Sequence, residues 1–391
     1  MVSHDRDRAI LAGLLGTVLL SQVLLYPGVA DLVRALGAET PGVDAPMWFL
    51  ASEFLGYVLF VGVWGIASDR AGRRRPFIAA GALGGAIGYA LVPALAVFGA
   101  VPFELLLVVR FLQGALTIGA FSLAMTMLMD LPGGHGRNMG AAGIAIGLGT
   151  GLGAPIGGQL TDADPLAPML LAAALLGAVG LFIAVVDDRV PGATPSIRAT
   201  IAGLARTPAL ALPYAFGLVD RLTAGFFALV GTLYFREAFG LSASETGLLL
   251  AAFFLPFALL QYPLGALSDR VGRTAPVVVG SGLYGVGVLA VGAAPTVATA
   301  AAGMAAVGVL GALMAPATMA LVTDLAPETD RGTAMGGFNL FGSVGFLAGF
   351  LVGGTVADRY DFAAAFLVAG GLEIAIAIAA IPAFVRLRGR W

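Results

Sequence analysis

Run after run of about twenty consecutive apolar residues restricts this chain more than any other feature of it. A bilayer core roughly 30 Å thick takes about 20 such residues per spanning helix. Inside it every backbone N–H and C=O must find a partner within the protein, which leaves helices and closed barrels. The runs here are continuous rather than alternating, so helices are expected and the barrel pattern is not. Twelve spans are predicted, at 9–29, 48–67, 77–98, 103–127, 138–160, 167–186, 209–233, 245–264, 276–294, 297–321, 333–356 and 362–384. Hydrophobic residues at 59%, charged residues at 11% and a mean hydropathy of +0.95 place the chain far from a soluble domain. The first run reads as a mature helix rather than a signal peptide. It continues into LLYPGVADLVRALGAE and has no clear small-x-small cleavage site.

The composition also excludes several chemistries. With no cysteine there are no disulfides and no thiolate metal sites. The two histidines, His4 in the N-terminal tail and His135 in a loop, do not suggest a metal or catalytic centre. A net charge of −2 gives no reason to invoke nucleic acid. Nothing resembles the phosphate-cradling G-x4-G-K-[ST] loop, and no nucleophile and base constellation is visible. An enzyme, ATP-driven transport and a bound cofactor are therefore not expected.

Arginine placement orients the spans. If the N-terminus is cytoplasmic, 16 of the 21 arginines fall on cytoplasmic segments, among them Arg73, Arg74, Arg75, Arg273, Arg386, Arg388 and Arg390. Arg34, Arg236 and Arg359 fall outside, and Arg110 and Arg221 lie within spans. Both termini are then cytoplasmic, in a multi-pass protein of the plasma membrane. The segment 187–208 is the longest cytoplasmic connection and reads as a linker with a short amphipathic piece, separating six spans in 1–186 from six in 209–391.

The two halves repeat. Asp69, Arg70, Gly72 and Arg73 recur 200 residues later as Asp269, Arg270, Gly272 and Arg273. Met139, Gly140, Gly149, Gly153, Gly157, Gly158 and Asp162 recur 196 residues later as Met335, Gly336, Gly345, Gly349, Gly353, Gly354 and Asp358. A duplicated six-helix unit accounts for both registers. The expected fold is an all-α membrane protein with twelve transmembrane helices in two pseudo-symmetric six-helix bundles.

Three segments carry a family resemblance. GIASDRAGRRRP, residues 65–76, resembles the loop signature G-x-x-x-D-R-x-G-R-[RK] of the major facilitator superfamily, and GALSDRVGR at 265–273 is a weaker copy with Thr274 in place of the final base. The resemblance covers the whole chain and implies a gating role for Gly65, Asp69, Arg70, Gly72, Arg73, Asp269, Arg270 and Arg273. Gly65 and Gly265 would let helices approach closely, while Gly72 and Gly272 would permit tight turns. Asp69 could meet the positive N-terminus of the eleventh span near Thr333, and Asp269 that of the fifth near Asn138. The alternative is that the loop arginines are topology anchors, and Arg75 reads as an anchor only. RFLQG at 110–114 resembles the family's R-x-x-Q-G motif, whose arginine is associated with proton transfer in proton-coupled relatives. The fifth span resembles the antiporter motif G-x8-G-x3-G-P-x-x-G-G through Gly140, Gly149, Gly153, Gly157 and Gly158, with Ala154 at the proline position and Pro155 one place later. A plain glycine packing face is the competing reading, because the eleventh span repeats the same glycines.

Charges inside the spans are costly and mark candidate sites. Glu53, Arg110, Asp220, Arg221 and Glu373 are proton-coupling candidates. Glu53 and Arg110 have similar estimated depth and are candidates to pair, against a glutamate that snorkels to the outer interface. Asp220 and Arg221 point about 100° apart on the seventh span, which lines the central cavity in this superfamily, and could touch substrate or proton or tie helices together. Glu373 lies on a span that is usually peripheral in the family, so a structural or silent protonated role competes with coupling. Asp130 and Asp324 are expected to bind loop arginines or cap helices. Gln22, Tyr26, Gln113, Phe226 and Asn339 are candidates to line a substrate cavity, with Phe227 beside them; packing competes as the explanation for the aromatics.

The resemblance implies a secondary transporter working by alternating access, with a small-molecule substrate, protons and the bilayer as partners and a monomer as the working unit. Proton-coupled efflux of a small, amphipathic or drug-like compound is the leading expectation. A facilitator or proton symporter for a metabolite, and a non-transporting sensor or scaffold on the same fold, are the alternatives.

Overall fold

The computed structural model describes residues 2–38, 42–98, 101–132, 135–188 and 197–388, and all regular structure among them is helical. In chain order the helices are α1 (Val2–Val23), α2 (Val29–Ala35), α3 (Asp44–Ala71), α4 (Arg75–Phe98), α5 (Phe103–Met129), α6 (His135–Ala163) and α7 (Ala167–Phe182). They continue as α8 (Ile197–Arg206), α9 (Ala211–Phe226), α10 (Thr232–Phe239), α11 (Ala243–Val271), α12 (Thr274–Gly292), α13 (Val297–Leu325), α14 (Arg331–Arg359) and α15 (Phe362–Arg388). A π-helical turn, Phe227–Gly231, joins α9 to α10, so the two form one membrane span.

Eleven of these segments are long and apolar enough to cross a bilayer. The first, expected at 9–29, differs in its bounds. Helix α1 stops at Val23, the chain turns through Pro27, and α2 begins at Val29. Proline lacks an N–H and clashes with the preceding turn, which is sufficient reason for the stop.

The turns follow the glycines. Gly72 (φ +61°) and Gly272 (φ +84°) occupy the left-handed region directly after α3 and α11, where a side chain would be strained, so the loop glycines are turn formers as expected. At the start of α13, Thr296 and Thr299 form a capping box. Large apolar residues such as Ile87, Ile144, Leu181 and Leu259 point outward, as the solvent of a lipid-facing surface requires.

Packing divides the chain into two units, Met1–Ser196 with Gly240–Ala251, and Ile197–Phe239 with Ala252–Trp391. Compared with the boundaries expected from the sequence, α8 joins the second unit and the start of α11 joins the first. The Asp162 carboxylate explains the latter, because it accepts hydrogen bonds from the backbone N–H groups of Ala243 (3.1 Å) and Ser244 (3.0 Å). Those N–H groups have no partner within α11 itself.

Glycines set the helix spacing. In the first unit α6 lies along α1, and a Cβ on Gly149 or Gly157 would overlap the carbonyls of Gly16 or Leu24. Within the second unit α14 lies along α9 in the same way, with Gly345 and Gly349 against the carbonyls of Leu218 and Leu222. These glycines of the antiporter-like segment and of its repeat therefore hold helices at backbone contact. Gly140 faces nothing within 4 Å, and a Cβ on Gly265 would only reach ordinary contact with Pro316 at 3.4 Å, so close approach is not their reason for being glycine.

Candidate functional site

The R-x-x-Q-G segment is the starting point. Arg110 and Gln113 are three residues apart on α5 and share a face, and Gly114 follows. A Cβ at Gly114 would overlap the Glu53 carbonyl, so this glycine lets α5 lie directly on α3 where Glu53 sits. Helix α4 is admitted from the other side by Gly85 and Gly88, where a Cβ at Gly88 would meet Gln113 Cβ at 2.5 Å. The residue after Gly88 is Tyr89, which thereby reaches the same place.

Glu53, Arg110, Gln113 and Tyr89 are all fully buried. Arg110 Nη2 donates to Glu53 Oε2, and Arg110 Nη1 donates to Gln113 Oε1. Gln113 Nε2 donates to Glu53 Oε1 at 3.0 Å and to Thr117 Oγ1 at 3.3 Å, while the Tyr89 hydroxyl donates to Glu53 Oε1 at 3.1 Å. The guanidinium carbon also lies 4.6 Å from the Phe49 ring centroid and 5.2 Å from that of Tyr89. Such a pair is strongly coupled, since each charge is removed from water and compensated chiefly by the other. Nearby, Tyr26 and Tyr57 feel the charges of both Glu53 and Arg110. Three buried donors of this unit, Gln22 Nε2, Tyr57 Oη and Arg110 Nε, have no hydrogen-bond partner among the described residues.

The duplication supplies an internal control. Within the second unit Gly308 touches the Phe253 carbonyl as Gly114 touches that of Glu53. Glu53 thus corresponds to Phe253, Arg110 to Met304 and Gln113 to Val307. The same helix contact forms there without charge. Packing alone does not require the polar cluster.

The second unit places its own charges elsewhere. Asp220 and Arg221 approach each other only to 3.9 Å, with Arg221 exposed and Asp220 half-buried. Glu373 is fully buried, and its carboxylate is bonded by Thr223 Oγ1 of α9 (3.0 Å) and Ser281 Oγ of α12 (2.7 Å). Of the cavity candidates, Gln22 and Tyr26 are buried, Gln113 belongs to the Glu53 cluster, and Asn339 is exposed on α14. Phe226 is buried among aromatic rings, edge-on to Phe227 (5.4 Å) and Phe366 (4.9 Å).

At the loop after α3, Arg74 is the arginine that matters structurally. It is fully buried, 3.7 Å from Asp69 and 3.4 Å from Asp130, and the Asp188 carboxylate caps the backbone N–H groups of Arg74 and Arg75 at 3.0 Å. Arg70 and Arg73 are exposed. In the second unit Thr274 stands where Arg74 would be, and Arg273 takes over, bonding Asp269 and reaching Asp324 at 3.2 Å. Asp130 and Asp324 thus bind loop arginines. Asn138 is engaged by Arg8, whose Nε donates to its Oδ1 at 2.8 Å. Arg74→Ala should lower stability by about 1 kcal/mol or somewhat more, because Asp69 and Asp130 keep partial access to water. Arg73→Ala should stay within about 0.5 kcal/mol of the parent. Thermal unfolding of the two purified variants compares them directly, and equal midpoints would remove the special role of Arg74.

Tyr89, Thr117, Thr223 and Ser281 are not singled out by the sequence, and Arg74 reads there only as one of the cytoplasmic loop arginines. Thr117 alone carried a signal, lying one turn after Gln113 on the same face.

Residues 10–235 and 214–390 match the sequence profile of the Major Facilitator Superfamily. The chain belongs to that superfamily. It is 32% identical over 166 residues to an MFS-type transporter of Methanocaldococcus jannaschii, covering 42% of each chain. It is 28% identical over 130 residues to the methyl viologen resistance protein SmvA of Salmonella typhimurium, covering 33% of this chain and 26% of that one. Both matches span less than half the length of the relative. The crystal structure of a D-xylose-proton symporter superimposes with a TM-score of 0.75 at 16% identity, over 95% of this chain and 96% of that one, and shares its fold.

Proposed function

We propose that this superfamily member is a secondary active transporter, working by alternating access, that exports a small compound in exchange for protons across the plasma membrane. The observation that carries the proposal is the Glu53–Arg110 cluster, fully buried in one unit and replaced by Phe253, Met304 and Val307 at an otherwise equivalent helix contact in the other. A buried ion pair gives little net stability over an apolar filling of the same space, so function is the stronger reason for its presence. Protonating Glu53 removes the charge that holds Arg110. A cationic substrate group and a proton compete for the Glu53 carboxylate, and mutually exclusive binding of this kind is the linkage an exchanger needs. Gln22 Nε2, Tyr57 Oη and Arg110 Nε offer further donors to a polar group of the substrate.

The name of the Salmonella relative, a methyl viologen resistance protein, supports export of an amphipathic or drug-like compound. Proton symport of a metabolite is the second reading. It is favoured by the use of the α6 glycines in packing, which α14 repeats, so that the antiporter-like segment has a structural explanation. The arginine distribution supports cytoplasmic termini, and a monomer is sufficient because both halves lie in one chain.

The test is purified protein in proteoliposomes with an imposed pH gradient and an internal pH dye, challenged with lipophilic cations, antibiotics and neutral metabolites. Substrate-triggered collapse of the gradient is expected for at least one compound. Counterflow of a compound with no proton movement would overturn the exchange reading and leave a facilitator.

A further inference from the structure

The second unit contains a buried acid that has no counter-ion among the described residues. Glu373 has no accessible surface, and among the described residues no arginine forms an ion pair with it. Its hydrogen-bond partners are two hydroxyls, Thr223 on α9 and Ser281 on α12. Leaving a lone carboxylate in such a place is strongly unfavourable, because no opposite charge replaces the water it has lost.

Counting donors favours the neutral form of the acid. A hydroxyl has one hydrogen to give and can also accept. Thr223 Oγ1 lies 3.0 Å from Glu373 Oε1 and 3.2 Å from the Val219 carbonyl one turn earlier on α9. Against a carboxylate, Thr223 can serve only one of these two acceptors at a time. Against a neutral acid it serves both, because Oε1–H donates to Thr223 Oγ1 and the Thr223 hydroxyl donates to Val219 O. Ser281 Oγ then donates to Glu373 Oε2 at 2.7 Å, with the Glu373 backbone oxygen a longer alternative at 3.3 Å. One added proton completes the chain and removes the charge.

We infer that Glu373, Thr223 and Ser281 form a proton-binding site in the second unit, occupied at neutral pH and separate from the Glu53–Arg110 cluster. The repeat shows that the fold does not need an acid here. The residue 196 positions earlier is Gly177, packed against Ala86. The other ionisable groups around the site are Asp220 and Arg221 on α9 and Tyr284 on α12, while α14 carries its charges, Arg331, Asp358 and Arg359, only at its ends. Asp220, one turn before Thr223, interacts electrostatically with Glu373 and would repel a second negative charge. The inference does not depend on what is transported or on whether protons drive it.

Infrared difference spectroscopy of the protein in lipid at neutral pH tests it. The carbonyl-stretch band of a neutral, hydrogen-bonded carboxylic acid should be present in the parent, absent in Glu373→Gln and retained in the Glu53→Gln/Arg110→Met double variant. Thr223→Val keeps the acid but removes its acceptor, so it should shift the band. It also serves as the deciding variant if Glu373→Gln does not fold. Identical parent and Glu373→Gln spectra in this region, or an unmoved band in Thr223→Val, would overturn the site. These outcomes are independent of the proteoliposome result.

Discussion

Arg110→Met is expected to destabilise the protein by about 3–5 kcal/mol, the cost of leaving one member of a buried pair uncompensated. Glu53→Gln should be damaging for the same reason, with Arg110 then the unpaired charge. The double variant should recover most of the loss, because both charges leave together and the second unit shows that this helix contact tolerates an apolar filling. The prediction is a large coupling term in a double-mutant cycle, read from denaturation in detergent. If the two single losses simply add in the double variant, the pair as described is wrong.

Gly114→Val carries the second large effect. A Cβ there would overlap the Glu53 carbonyl, a backbone atom that cannot turn aside, so α5 and α3 must separate. Overpacking of this kind costs typically about 1–3 kcal/mol and sometimes more. Here the separation would also pull Arg110 away from Glu53. Folding yield and thermal midpoint should both fall well below those of Gly140→Val, where nothing lies within 4 Å. Equal behaviour of the two variants would show that the contact between α3 and α5 is not as close as described.

The pattern of legibility in the sequence has physical reasons. The length and continuity of the apolar runs locate the spans after the first, because backbone satisfaction in lipid leaves few alternatives. The first differs in its bounds because a local event, the turn through Pro27, ends α1 at Val23. Repeats at offsets of 196 and 200 make the duplication visible, since each copy preserves the glycines that keep helices apart by no more than their backbones. A pairing of Glu53 with Arg110 could be anticipated from depth alone because charge inside lipid demands compensation. Tyr89 could not, since its hydroxyl reaches Glu53 only through the approach of α4 that Gly85 and Gly88 allow. Nor could the choice among four clustered arginines. Arg74 is buried and its neighbour Arg73 is exposed because they straddle the turn that leads into α4, and only the fold distinguishes them. Glu373 was visible as a deep charge, but its hydroxyl partners come from helices about 90 and 150 residues away.

The central claim is that proton movement passes through Glu53 and Arg110. The most direct measurement reconstitutes the parent and the Glu53→Gln/Arg110→Met double variant in proteoliposomes and records internal pH while a transported compound is added. The parent should move protons against the compound, and the stable double variant should not, whether or not it still exchanges the compound across the membrane. Undiminished proton movement in the double variant would contradict the account.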